Sequence, residues 1–286
     1  MKKNLTKLVS IFMMLVLAMS LMACGSKSAT AGEQKSNHEQ LSANDLIDKM
    51  SEALKDVEGI SLKGNISGTV SVSGEKMGGS AKIESKVNLK DSVAAYVKAN
   101  ISVDVLGQTQ DMTVETYELV NEDTMETYVN YLDQWTYESV ELSENNNIDI
   151  TSSIDFSAIE EYFDKVEVKT SGNKYNLVYE ITSTNLIDKL ENAGFLPSSV
   201  LEEISEIPDV KVTLTVAVDG KTFLPSTMSL GIDMDKFEVE GMEFELTDFV
   251  CEIEYESYGS VEITVPDEAL EAKENGNDYS GFDLFS

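Results

Sequence analysis

Between Val93 and Val105 the chain places Val93, Ala95, Val97, Ala99, Ile101, Val103 and Val105 at every second position. Successive side chains of a strand point to opposite faces of a sheet. A period of two held this long therefore puts seven small or β-branched side chains on one face. A helix would scatter the same residues around its circumference. A strand of that length must pair on both edges and find something apolar to lie against its uniform face, so this stretch commits the chain to a large sheet.

The same period recurs along the chain. Ile60, Leu62, Ile66, Val70 and Val72 share even positions with Gly64 and Gly68 between them, and Met77-Gly78-Gly79 reads as the turn that follows. Ala81, Ile83, Val87 and Leu89 alternate with Lys82, Glu84, Lys86 and Asn88. Met112, Val114 and Thr116 continue the pattern. Met125, Thr127, Val129 and Tyr131 come next, then a turn at Leu132-Asp133-Gln134, then Trp135, Tyr137 and Ser139. Tyr175, Leu177, Tyr179 and Ile181 make a later strand, and Val210 to Val218 the most regular one. Asp219-Gly220 turns it into Met228, Leu230, Ile232 and Met234. Met242, Phe244 and Leu246 are even whereas Phe249, Cys251, Ile253 and Tyr255 are odd, so a β-bulge is expected near Thr247-Asp248. Val261, Ile263 and Val265 are expected to close the sheet before Pro266. Runs joined by short turns imply an antiparallel meander.

Helical spacing appears between these runs. Leu46, Ile47, Met50, Ala53, Leu54 and Val57 form one stripe within Ser42 to Glu58. Ser42 or Asn44 can cap its start, and Gly59 suits its end. Asp155 to Lys165, Thr184 to Asn192 and Pro197 to Ser205 read as three further helices. The expected fold class is thus α+β: a long antiparallel meander forming an incomplete barrel, with helices packed on its concave face.

The N-terminus sets the location. Lys2, Lys3 and Lys7 precede an apolar run from Leu8 to Leu21, shorter than the about 20 apolar residues a spanning helix needs. Leu21-Met22-Ala23-Cys24 resembles the lipobox of bacterial lipoprotein precursors. The resemblance implies removal of residues 1–23 and a diacylglyceryl group on the Cys24 sulfur. Two acyl chains suffice for stable anchoring. Residues 24–41 read as a flexible spacer, 42–268 as one domain and 269–286 as an acidic, disordered tail. The expected location is the outer face of the cell membrane of a Gram-positive bacterium.

Charge and composition exclude several functions. Without residues 1–23 the chain keeps 18 basic against 52 acidic residues, a formal charge of −34. Arginine is absent. Nucleic-acid binding needs a basic footprint, so no nucleic-acid partner is expected. His38, the one histidine, lies in the spacer, which rules a Ser-His-Asp or Cys-His arrangement out of the domain. No phosphate-binding or dinucleotide loop is present. Zinc is disfavoured by one His and one free Cys, and Asp233-x-Asp235 lacks the Gly and final Glu of a calcium loop. No enzyme activity, cofactor or metal is expected. Cys251, on an alternating strand, reads as a small buried hydrophobe. Tyr128, Tyr131, Trp135 and Tyr137 read as cross-strand packing, with the rim of a carbohydrate or ligand site as the other reading.

The order of these elements, with Tyr128-Val129-Asn130…Gln134-Trp135 and Asp219-Gly220-Lys221-Thr222-Phe223-Leu224-Pro225, resembles the LolA-like and LppX/LprG-like half-barrel lipoproteins. The resemblance implies a concave apolar face that holds lipid acyl chains. The expected function is binding of a lipid or other hydrophobic ligand in an apolar groove lined by Val97, Ala99, Ile101, Leu214 and Val216. The alternative is a structural or adhesive surface module that binds a protein through its acidic outer face.

Overall fold

The computed structural model describes residues 41–90, 93–105, 107–121, 124–142, 165–182, 210–234, 236–239 and 242–275. Most of this is β-structure. Helix α1 (Ala43–Leu54) leads into six consecutive strands: β1 (Gly59–Val72), β2 (Glu75–Asn88), β3 (Ala94–Val105), β4 (Gln108–Val120), β5 (Thr124–Tyr131) and β6 (Gln134–Glu141). Six more follow: β7 (Lys165–Ser171), β8 (Lys174–Thr182), β9 (Val210–Asp219), β10 (Pro225–Met234), β11 (Phe237–Val239) and β12 (Met242–Tyr258). Helix α2 (Asp267–Asn275) ends the described chain.

All pairings are antiparallel and join into one sheet in the order β6-β5-β4-β3-β2-β1-β12-β10-β9-β8-β7, with β11 paired to β12 alone. Two meanders are stitched together where the first strand meets the last. Their junction, β1 with β12, runs from Ile60↔Tyr258 to Val72↔Phe244. Among the described residues β6 and β7 remain as two separate ends, so the sheet is open.

The register sorts side chains onto two faces. One inner row runs Leu230–Cys251–Ile66–Ala81–Ile101–Met112, and the next runs Met228–Ile253–Gly64–Ile83–Ala99–Val114. Helix α1 lies on this inner face at the β7–β9 end. Its Leu46, Ile47, Met50 and Leu54 are buried against Leu177, Tyr179, Leu214, Val216 and Val218. The Ser42 hydroxyl accepts the Asp45 backbone N–H at 3.1 Å, and the Asp45 carboxylate accepts the Ser42 N–H at 3.2 Å. This reciprocal box fixes where the helix starts.

Helix α2 packs on the opposite, outer face, over β5 and β6, and buries Ala269 and Ala272. The two described helices thus cover different faces at different ends, where the sequence suggested helices on the concave side. Residues 155–164, 184–192 and 197–205, read as helices, lie outside the described residues.

Other expectations shift by local physics. Helix α1 stops at Leu54 because Glu58 and Gly59 are already drawn toward the sheet: the Glu58 carbonyl accepts Leu89 N–H and the Gly59 carbonyl accepts Gly259 N–H. Met77-Gly78-Gly79 is not a turn. The turn is Ser73-Gly74, with φ of 50° and 89°, and Gly78 and Gly79 sit inside β2 facing Thr69 and Gly68. Lys165 opens β7 instead of closing a helix. Val261, Ile263 and Val265 form no ladder. Ordered structure also runs past residue 268, because Asp267 to Asn275 has two alanines to bury and a hairpin to bury them on.

The bulge near Thr247-Asp248 is present. Between Ser67↔Val250 and Thr69↔Thr247, β12 advances three residues while β1 advances two, and Asp248 takes φ of 55°. The Leu132-Asp133 hairpin has both central residues at positive φ, 51° and 60°, the geometry of a type I′ turn.

Candidate functional site: the inner face of β1 to β5

The candidate site is assembled by register. Across β1, β2, β3 and β4 the inner face presents Ile66, Ala81, Ile101 and Met112 in one row and Gly64, Ile83, Ala99 and Val114 in the next. A third row carries Leu62, Ser85, Val97 and Thr116, and continues to Val129 on β5. Gly64 and Ala99 add little bulk of their own beside Ile253, Ile83 and Val114. A Cβ added at Gly64 would meet Ile83 and Ile253 at ordinary contact distance, 3.5 and 3.6 Å, so the face is shallow there without being strained. Most of these residues are half-buried, and Val97 is 37% exposed. The buried cluster under α1 lies on the other meander, and α2 lies on the other face.

Of the five groove residues expected from sequence, the structure groups three. Val97, Ala99 and Ile101 alternate along β3 on the inner face. Leu214 and Val216 point to the same face, but they are 7% and 0% exposed beneath α1. They stand five strands away along the sheet, about 24 Å at the usual strand spacing. A single line of alternation cannot show how many strands separate it from another, so the two sets looked equivalent. Leu214 and Val216 belong to the core and do not line a groove with β3.

One residue of this face carries no signal in a list of apolar positions. Glu118 occupies the inner-face parity of β4 after Met112, Val114 and Thr116, directly between Ala95 on β3 and Thr127 on β5. It is half-buried, and burial pushes its carboxyl above the ordinary glutamate range. The hint in the sequence was a charge where the alternation calls for an apolar side chain.

The aromatic cluster divides between faces. Tyr96, Tyr117, Tyr128 and Tyr137 stand directly opposite one another across β3 to β6 on the outer face. Tyr96 and Tyr117 are 4.9 Å apart, Tyr128 and Tyr137 5.1 Å, and Trp135 lies 5.9 Å from Tyr117. Tyr128 is 1% exposed beneath α2, so cross-strand packing describes this part of the hairpin. Tyr131 has the opposite parity and belongs to the inner face.

The Glu126 carboxylate ties the helix to this ladder. It accepts from Lys273 Nζ at 2.6 Å, from the Tyr128 hydroxyl at 3.0 Å and from the Tyr137 hydroxyl at 3.4 Å. Burial raises its carboxyl. The hydrogen bonds from Lys273, Tyr128 and Tyr137, with the ammonium charge, outweigh burial and hold it below the usual range.

Elsewhere on the outer face Ser67, Thr69, Ser80, Ser102, Asp104 and Thr109 edge an open depression of about 280 Å³. Asp104 is occupied there by the Gly107 N–H and the Thr109 hydroxyl. Cys251 is buried with its thiol pushed up by burial, and it sits in the inner row between Leu230 and Ile66. Among the described residues no group of three His, Cys, Asp or Glu is arranged to hold a metal. None of the described helices is long and apolar enough to cross a membrane. Cys24 lies outside the described residues.

An open antiparallel sheet with one apolar face and an N-terminal helix on that face defines the class. Within it, the chain belongs to a family of unknown function, DUF6612, which matches residues 42–274. No curated protein matches the sequence. Among solved structures it is similar to LprF from Mycobacterium bovis, with 14% identity and a TM-score of 0.36 over 79% of this chain and 97% of that one. It is also similar to a beta-barrel-like protein of domain of unknown function DUF1849 from Brucella abortus, with 8% identity and a TM-score of 0.27 over 71% and 99%. A third similarity is to a DUF1329 family protein from Desulfovibrio piger, with 10% identity and a TM-score of 0.27 over 82% and 98%.

Proposed function

We propose that this protein is a lipid-anchored lipoprotein on the outer face of the cell membrane, and that it binds a lipid or another hydrophobic ligand without catalysis. The anchor is the diacylglyceryl group on Cys24. The ligand lies along the inner face of β1 to β4. One observation carries the reading: three adjacent cross-strand rows hold mainly small and aliphatic side chains, while α1 buries its stripe on the other meander. Apolar area left beside a core is a binding surface when a ligand removes it from water.

Ala99 sits at the centre of the middle row, opposite Ile83 and Val114. The test is native mass spectrometry of the purified protein, with and without Ala99→Trp. A hydrophobic molecule that co-purifies with the wild type and is lost from a folded Ala99→Trp variant supports the reading. A wild type that carries nothing and takes up no lipid probe, with a variant that loses stability from overpacking, refutes it.

A further inference from the structure

The apolar face has one acidic end. Its next cross-strand row runs Ile60–Val87–Ala95–Glu118–Thr127–Glu138 from β1 to β6. Glu118 lies within the face, flanked across the strands by a methyl group and a threonine. Glu138 stands at its margin, exposed, two strands on. A carboxylate at half-buried depth ordinarily brings a cation or a set of N–H donors with it, because its desolvation is otherwise uncompensated. Among the described residues no lysine and no hydroxyl is hydrogen-bonded to Glu118, and burial is the sole cause of its raised carboxyl. The chain has no arginine to spare for it, and its lysines are far outnumbered by carboxylates.

We infer that the hydrophobic ligand of this face carries a cationic head, an alkylammonium or a related amine, which pairs with Glu118 while its apolar chain lies over Val97, Ala99 and Ile101. This rests on the ligand-binding reading above. It adds the head group and its polarity. The β3 side chains Ala95, Val97, Ala99 and Ile101 lead away from Glu118 in a single line, so a ligand fixed by its head at Ala95 runs along the strand toward Ile101. The span from 95 to 101 is about 20 Å at the usual rise per residue, enough for an extended acyl chain. An anionic head would meet both Glu118 and Glu138, which disfavours free fatty acids.

The test uses the full chain in phosphatidylcholine nanodiscs, with protein-free nanodiscs subtracted, and follows displacement of the neutral dye Nile red. Octylammonium, octanol and octanoate share one chain and differ in head charge. Octylammonium is expected to displace the dye at about one-tenth the concentration octanol needs, a typical gain from a charge-assisted hydrogen bond, and octanoate to be weakest. Glu118→Gln should bring octylammonium level with octanol. Glu271→Gln, which removes one exposed charge from α2 on the other face, should leave the preference intact. Equal potency of the three compounds, or an unchanged preference in Glu118→Gln, overturns the head-group assignment while leaving an apolar ligand face standing. An equal loss in Glu271→Gln also overturns it, since bulk negative charge then explains the preference. Failure of Nile red to bind sinks the ligand face itself, and this inference with it.

Discussion

Tyr255 and Tyr258 stack in parallel on one face of β12, ring centroids 5.9 Å apart and planes within 6°, although they stand three positions apart in a strand. In a regular strand positions three apart point to opposite faces. Here β12 carries an extra residue: Ser61 pairs with Ser257 but Leu62 with Tyr255, leaving the Glu256 backbone without a ladder partner in β1. The bulge returns both rings to the inner face and aims the Tyr258 hydroxyl at the Pro225 carbonyl, 2.7 Å away. That bond closes the junction of the two meanders where β10 begins. Burial, with the neighbouring Tyr255, pushes the Tyr258 hydroxyl well up, so it stays a donor across the physiological range. Tyr258→Phe is expected to cost about 1 kcal/mol, read as a lower urea midpoint with an unchanged slope.

Glu118 should oppose folding when it is charged and no ligand is present. Its folded carboxyl lies above the unfolded value, so the unfolded chain releases its proton first as pH rises, and stability falls through that window. Glu118→Gln should therefore be more stable than the ligand-free wild type at neutral pH. The difference should vanish once the pH drops below the ordinary glutamate range. Thermal melts from pH 3.5 to 7.5 check both parts, and a variant that is less stable at pH 7 contradicts the assignment of an uncompensated charge.

Glu126 has the opposite sign. Its folded carboxyl lies below the usual range, so the stability it lends is present above that range and is lost as pH falls through the lowered value. Because Glu126 holds Lys273, acid should release α2 before the rest of the sheet opens. Hydrogen exchange of α2 amides at pH 3 and pH 7 should show this earlier opening, and Lys273→Ala should reproduce it at pH 7.

Cutting the side chain at Leu177 should be far more costly than changing the open end of the inner face. Leu177, on β8, is fully buried beneath α1, and Leu177→Ala is expected to lose about 2–5 kcal/mol. Val97→Ala, at a 37% exposed position, should lose less than about 1 kcal/mol. Similar losses at both sites would mean that the β3 end of the face is core.

Cys24→Ala is expected to leave the protein unprocessed or to release it from membranes. Fractionation followed by intact-mass measurement of the N-terminus decides this, and a variant that stays membrane-bound at the mature mass rules out the lipid anchor.

The sequence by itself determined most of the strands and most of their faces, though it missed β7 and placed a strand at Val261 to Val265 that does not form. Alternation is a local property, and from Val93 to Val105 or Val210 to Val218 it needs no partner to be read. The parity switch at Thr247-Asp248 located one bulge for the same reason. The bulge at Glu256 left no such trace, because Ile253, Tyr255 and Tyr258 look like a run that merely ends. Tertiary structure alone decided the order of strands. Nothing local says that β1 must pair with β12, yet that junction puts Leu214 and Val216 five strands from Val97, where α1 covers them. Glycine was ambiguous in the same way. Gly78 and Gly79 look like a turn, but they lie in β2, paired with Thr69 and Gly68 of β1. Charge was the last thing decided by the fold. Glu118 and Glu126 are two of 52 acidic residues. Burial raises both carboxyls; at Glu126 an ammonium and two phenols outweigh it, whereas among the described residues Glu118 is flanked across the strands by a methyl group and a threonine, so the net shifts are opposite.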